Sequence, residues 1–274
     1  MLQLPTDSTE LLDKGFEILK DWAGNLSFDP EEIEKERGVV IEEWRLRRGG
    51  MARIQDRQYP VLLHESRYPD RLPIGTLESL EGSDPARLVQ YYRDWYRPSL
   101  MTLIAVGDFD ASAIQAQISS LFSDLTDPLS PRERLLYDVP DHEETLYSIE
   151  SDPEASFASV GITYKHARGD EGSHEEYIES MRRSLFASML NQRLGELTQE
   201  ADPPFIGAGG SDGSLVRTKG AFRLNAGAKD GEYLRALRVI LEEAERVRRF
   251  GFTKTEFDRA RTSRLRRMEV SYNE

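Results

Sequence analysis

Glu36 and Glu43 stand seven positions apart in the stretch Glu36-Arg37-Gly38-Val39-Val40-Ile41-Glu42-Glu43-Trp44. On an α-helix such a pair points within roughly 20° of a common direction, two turns apart. Ile33, Val39, Val40 and Trp44 flank that direction, which puts both acids in the expected apolar stripe. Glu31, Glu34, Lys35 and Glu42 fall on the wet side. A carboxylate in an apolar stripe needs a partner, because burying it alone is costly. An arginine or lysine from another helix, water reached round the edge of the stripe, and a metal ion all satisfy it. The pattern leaves all three open.

The helix that must position these acids is well signalled. Asp29-Pro30-Glu31-Glu32 offers an N-cap, a proline at the first helical position and an acid at the capping-box position. Gly49-Gly50 reads as its stop. Before it, Thr6 to Asn25 reads as an amphipathic helix, with Asp7 as cap and Leu12, Phe16, Leu19 and Ala23 on one face. After it, Gly49 to Ser83 reads as mostly irregular, broken by Pro60, Pro69 and Pro73. Helices are expected from Ser83 to Tyr96 and from Asp110 to Leu125, around a buried strand at Met101–Val106.

The proline-bearing stretch 127–144 reads as a linker between an α+β unit at 1–126 and a second at 145–274. In the second, strands are expected at Thr145–Ile149 and Ala155–Tyr164, and two more within Phe205–Gly227. Helices are expected at Ser173–Glu200, Glu232–Phe250 and Thr253–Tyr272. The order predicts two-layer α/β sandwich units, helices on one face of an antiparallel or mixed sheet. The opening Met1-Leu2-Gln3-Leu4-Pro5 reads as the end of a strand and the last helix has no cap. The first unit is therefore expected to be incomplete, and the chain to be a piece of a longer one.

Composition narrows the chemistry. The 274 residues carry 38% hydrophobic and 31% charged side chains, a globular balance. A net charge of −13 argues against nucleic-acid binding. The one basic run, Arg259, Arg261, Arg264, Arg266 and Arg267, spreads around a helix. No apolar run is long enough to span a membrane and no signal peptide is visible. With no cysteine, disulfides, thiol catalysis and cysteine metal sites are excluded. The histidines His64, His142, His166 and His174 form neither H-E-x-x-H nor H-x-x-E-H, and each is expected on the surface or in a turn. Gly207 to Ser214 lacks the Gly-Lys-Ser/Thr ending of a phosphate loop and reads as a flexible or close-packed strand segment.

Four blocks carry a resemblance: Glu36 to Trp44, then Pro73-Ile74-Gly75-Thr76, then Tyr91-Tyr92-Arg93-Asp94-Trp95-Tyr96-Arg97-Pro98, then Met101 to Asp110. In type, order and spacing they resemble the insulinase/pitrilysin-type zinc peptidases, the inverzincins, whose helix signature is H-x-x-E-H. Asn191-Gln192-Arg193-Leu194 is similar to a segment of that family's second domain. The resemblance covers nearly the whole chain and is strongest to bacterial, periplasmic members.

It implies that Glu43 is the third zinc ligand and Glu36 the acid that supports it. Two histidines and the water-activating glutamate of H-x-x-E-H would complete the site, and that segment is expected upstream of Leu2. By resemblance the parent is a zinc metalloendopeptidase of the periplasm, or a secreted one. It would act on peptides or unfolded proteins held extended beside a sheet edge. The piece alone is expected to bind zinc weakly and cleave nothing. It is also expected to self-associate, as a homodimer, through an exposed sheet edge. The rival reading is a non-catalytic relative serving as a partner-binding subunit. A self-standing binding module is a third.

Overall fold

The computed structural model describes residues 1–273. These form two compact units, one of Met1–Arg47 with Leu72–Leu135, the other of Arg48–Arg71 with Leu136 onward.

The first unit holds α1 (Thr9–Gly24), α2 (Pro30–Leu46), α4 (Leu77–Glu81), α5 (Pro85–Trp95), a 3-10 turn at Pro98–Leu100 and α6 (Ala111–Leu121). Phe16, Tyr92 and Ile114 are its buried apolar side chains. Tyr92 stacks on Tyr96 at 4.7 Å and donates its hydroxyl to the Trp22 carbonyl at 2.9 Å, which ties α5 to α1. Ser8, not Asp7, caps α1, because the Ser8 hydroxyl accepts from the Leu11 N–H.

Met101–Val106 is not a strand. It is an extended segment with no ladder partner among the described residues, and Ile104 and Val106 are 79% and 91% exposed. Apolar alternation reports a preference for the extended state, but a strand exists only when a neighbour takes its hydrogen bonds. Thr145–Ile149 fails as a strand for the same reason.

The second unit holds α3 (Gly50–Leu62), β1 (Ala158–Ala167), α7 (His174–Leu197), β2 (Gly207–Ser214), β3 (Lys219–Ala228), α8 (Tyr233–Phe250) and α9 (Lys254–Asn273). The stretch expected to be irregular therefore contains α3 and the short α4. Gly49-Gly50 is not a stop but the start of α3, with Gly49 at its N-cap. Residues 48–71 pack in the second unit although they precede much of the first in sequence.

The sheet is antiparallel, in the order β1-β3-β2. Leu224, Ala226 and Ala228 alternate onto one face of β3, opposite Ile162, Val160 and Ala158 of β1. That face packs against Leu190 and Leu194 of α7 and Ala236, Ile240 and Val247 of α8. The fold is thus α+β, helices against one face of an antiparallel sheet.

Of the four glycines in β2, Gly-Ala-Gly-Gly-Ser-Asp-Gly-Ser, Gly210 is the one its surroundings require. A Cβ on Gly210 would lie 2.9 Å from the Phe222 ring, so the strand's closeness to the core requires glycine there. Asn191 on α7 also takes both backbone groups of Gly210, donating to its carbonyl at 2.9 Å and accepting from its N–H at 2.6 Å. An edge strand is thereby closed at that residue by a side-chain amide.

Candidate functional site

The Asp29 carboxylate accepts from the N–H groups of Glu31 and Glu32, and Pro30 fills the first helical position of α2. This is the expected start. The inward face is different from the expected one. Ile33, Arg37, Val40, Ile41 and Trp44 are half-buried, and no residue of α2 is fully buried. Glu36, Val39, Glu43 and Leu46 form the opposite, open face, with Val39 59% and Leu46 85% exposed. The acids therefore do not lie in a buried stripe.

Arg37 accounts for this orientation. Its guanidinium reaches the Leu80 carbonyl, the Ser83 hydroxyl at 2.7 Å and the Ser83 carbonyl at 2.9 Å, and it pairs with Glu34. A fork with five donors turned towards the carbonyls at the end of α4 sets which side of α2 faces inward. A pattern of apolar residues alone could not show it, because Arg37 scores as a wet-face residue.

On the open face Glu43 pairs with Arg47, one turn on, at 2.6 Å. An exposed pair of this kind is worth only a few tenths of a kcal/mol, so the carboxylate is available to a stronger partner at little cost. Glu36 lies two turns back on the same face, also exposed. Zinc in a catalytic site takes three protein ligands and keeps a position for water. Among the described residues no three His, Cys, Asp or Glu side chains come together in a way that could hold a metal ion. The donors on α2 are two exposed carboxylates in register, two turns apart.

The histidines go elsewhere. His64 lies 3.5 Å from Glu65, and His142 Nδ1 faces the Glu144 carbonyl at 2.7 Å. His174 opens α7. His166 is not a turn residue. It sits in β1, with Nε2 2.8 Å from Asp212 of β2 and Nδ1 2.9 Å from the Ala167 carbonyl. Asp212 also pairs with Arg183 of α7 at 2.8 Å, and Arg183 with Glu176. His166 reaches across Gly220 of β3 to do this, and a Cβ there would lie 2.3 Å from the imidazole. Residues 166, 183 and 212 are far apart in sequence, and only the strand register reveals the cluster.

A second constellation missed by sequence reading centres on Arg53 of α3. It donates to both Asp152 carboxylate oxygens at 2.8 and 2.6 Å, to Glu154 at 2.8 Å and to the Arg48 carbonyl at 2.7 Å. The bond from Arg53 holds the Asp152 carboxyl down at about 2, helped by the Glu154 N–H it accepts.

Comparison with known proteins shows the family. Residues 84–264 match the family model described as "Peptidase M16 inactive domain". A protein of Arabidopsis thaliana named "Zinc protease PQQL-like" is 37% identical over 75% of this chain and 22% of its own length. The "Probable zinc protease PqqL" of Escherichia coli is 28% identical over 96% of this chain and 28% of its own length. The crystal structure of the periplasmic protease PqqL from Escherichia coli superimposes with a TM-score of 0.85 at 26% identity, covering 98% of this chain and 30% of that one. The chain thus spans less than a third of the length of these relatives. No helix among the described residues is long and apolar enough to cross a membrane. The matched stretch begins after α2, so the family match stands apart from the acid pair, and it is this match, over more than half of the sequence, that shows the chain to belong to the M16 peptidases, the insulinase/pitrilysin-type family that its motifs resemble.

Proposed function

We propose that this chain is part of a zinc metalloendopeptidase, in which Glu43 is the third metal ligand and Glu36 the acid that supports it. The observation that carries this reading is the open face of α2. Glu36 and Glu43 stand in register on it beside Val39 and Leu46, on a helix clamped from behind by Arg37. An exposed face of two acids and two apolar side chains has a use if another element closes over it.

Zinc, when bound, supplies a Lewis acid that polarises the scissile carbonyl and lowers the pKa of a bound water. Glu43 would hold the metal in place of its weak pair with Arg47. Glu36 holds the neighbouring ligands in orientation, a role whose loss typically costs 10–100-fold in metal affinity. The remaining ligands, a histidine pair, come from outside these residues, so the 274-residue chain alone binds zinc weakly and is inactive. The substrate is a peptide or unfolded protein in extended form. The resemblance to a periplasmic relative supports a periplasmic or secreted site of action in a bacterium.

The test is zinc content and peptide cleavage of the full-length gene product, with Glu43→Gln and Glu36→Gln beside the wild type. Glu43→Gln is expected to lose stoichiometric zinc and all cleavage, and Glu36→Gln to weaken zinc binding by about 10–100-fold. Undiminished zinc in Glu43→Gln overturns the assignment. A wild-type protein without zinc or cleavage points instead to a non-catalytic subunit.

A further inference from the structure

The helix α9 packs on α7, which meets it through the Arg193–Glu256 pair and the Ser184–Arg264 contact. Ala260, 6% exposed, is the buried residue of α9. Positions 264, 267, 268 and 271 continue its stripe at i+4, i+7, i+8 and i+11. A helix packed along its whole length would carry apolar residues there. Here they are Arg264, Arg267, Met268 and Ser271. With Tyr272 they line an open groove of about 420 Å³, within the roughly 300–1,000 Å³ of small-ligand sites.

The groove is basic, and its charge is uncompensated. Among the described residues, none of Arg259, Arg261, Arg264, Arg266 and Arg267 pairs with a carboxylate, whereas Arg37, Arg53, Arg183, Arg193 and Arg235 all do. The acids of α9 are engaged elsewhere. Glu256 belongs to Arg193 and Asp258 to Lys254, which leaves Glu269 against five guanidinium groups. Arg264 Nη1 donates to the Ser184 hydroxyl at 2.8 Å, but its Nε is buried without a hydrogen-bond partner among the described residues. Arg267 donates to Ser263 of its own helix at 3.1 Å. A buried N–H without an acceptor is costly, and an anion in the groove would satisfy it.

The spacing favours one kind of anion. Residues three apart on a helix are neighbours, with Cβ atoms roughly 5–6 Å apart. On an extended peptide, side chains two apart share a face at about 6.5–7 Å. Acids at alternate positions of such a peptide can therefore meet Arg264 and Arg267 together, each fork gripping one carboxylate. Met268 gives the stems of those acids an adaptable apolar floor, and the hydroxyls of Ser271 and Tyr272 can serve the peptide backbone. Nucleic acids and anionic membranes carry far more charge, and a net −13 repels them over the whole molecule.

We propose that the Arg264–Arg267 groove of α9 binds an acidic polypeptide segment with carboxylates at alternate positions of an extended stretch. The site needs no metal and stands apart from the zinc reading of Glu43.

The experiment uses the full-length gene product, with EDTA present so that the probe stays whole. Fluorescence anisotropy reads the Kd of a fluorescein-labelled peptide Gly-Glu-Ala-Glu-Ala-Glu-Gly, beside the same peptide with glutamine for glutamate. The wild type is expected to bind the first and not the second. Arg264→Ala combined with Arg267→Ala should weaken binding by about ten-fold or more. Arg261→Ala combined with Arg266→Ala, both exposed and off the stripe, should change it by less than about two-fold. Arg267→Ala alone leaves the α7 contact of Arg264 in place, and its expected loss keeps the test open if the double variant fails to fold. Glu43→Gln should bind the peptide as the wild type does, so loss of zinc and loss of peptide are separate failures. No binding by the wild type, equal binding of the glutamine peptide, or undiminished binding without Arg264 and Arg267 overturns the proposal. So does displacement of the peptide by inorganic phosphate at equal concentration, which would show a site for any anion. Loss of binding in Glu43→Gln would place the peptide at the zinc site and overturn it as well.

Discussion

The Arg193 guanidinium donates to both Glu256 oxygens at 2.5 and 2.9 Å, to Glu243 at 3.0 Å and to the Gly251 carbonyl at 3.2 Å, and it lies over the Phe252 ring at 5.0 Å. One side chain of α7 thereby holds α8, α9 and the turn between them. Glu243 is 5% exposed and pairs with Arg193 at 3.0 Å and with Arg246 at 3.5 Å. Arg193→Ala is expected to cost about 3–5 kcal/mol, because it takes the nearer partner from the buried Glu243 carboxylate and the main one from Glu256. Chemical denaturation of the chain measures this, and a loss below about 1 kcal/mol would show the cluster to be dispensable. Gly220→Ala tests the His166 cluster in the same way. A methyl 2.3 Å from the imidazole must push it off Asp212, and the overpacking is expected to cost about 1–3 kcal/mol. Both residues show how far single positions can be read from sequence. Arg193 stands in a segment with a family likeness, but its partners lie 50 and 63 residues away, beyond the reach of local pattern.

At the scale of elements, helix starts are legible because a cap is a local event. Asp29, Asp84, Asp110 and Ser173 all cap the helices that begin after them. Orientation and pairing are not, because both are decided elsewhere in the chain. The inward face of α2 escapes an apolar pattern since Arg37, a charged residue, does the turning. The helix α3 is hidden because Pro60 and the glycines before it read as breakers, and Pro60 stands in its last turn without an N–H to offer the Asp56 carbonyl. Of the candidate site, the acid pair is visible in the sequence, whereas the Arg37 contacts that turn α2 are not. The last two helices carry a prediction about acidity. The bond from Arg193 holds the Glu256 carboxyl down at about 2, against roughly 4.3 in an unfolded chain. A depressed carboxyl contributes stability that is present above the unfolded value and lost as pH falls through the folded one. Thermal melts should therefore show a fall in melting temperature between about pH 4.3 and pH 2, and Glu256→Gln should flatten that fall while melting lower at neutral pH. An equally steep fall in the variant would mean that other carboxylates carry it.

For the whole molecule, the strong negative charge and the open apolar segments pull in opposite directions. A net charge of −13 keeps copies apart at low salt. Ile104 and Val106 on an extended segment without a ladder partner among the described residues invite pairing with a second chain. We expect this chain to self-associate as concentration and ionic strength rise, with a homodimer as the first species. Light scattering at several salt concentrations would show it, and a constant monomer mass would contradict it. Replacing Ile104 and Val106 by lysine should then restore the monomer.

The assignment of Arg48–Arg71 to the second unit also has a consequence in time. The chain crosses between units at three places, so α3 leaves the ribosome well before the body it belongs to. Arg53 precedes Asp152 by 99 residues. At roughly 5–20 residues per second, that is a wait of about 5–20 s with the guanidinium in water. Synthesis therefore runs against assembly. The first helix made for the second unit is fastened only after the Asp152 turn has emerged.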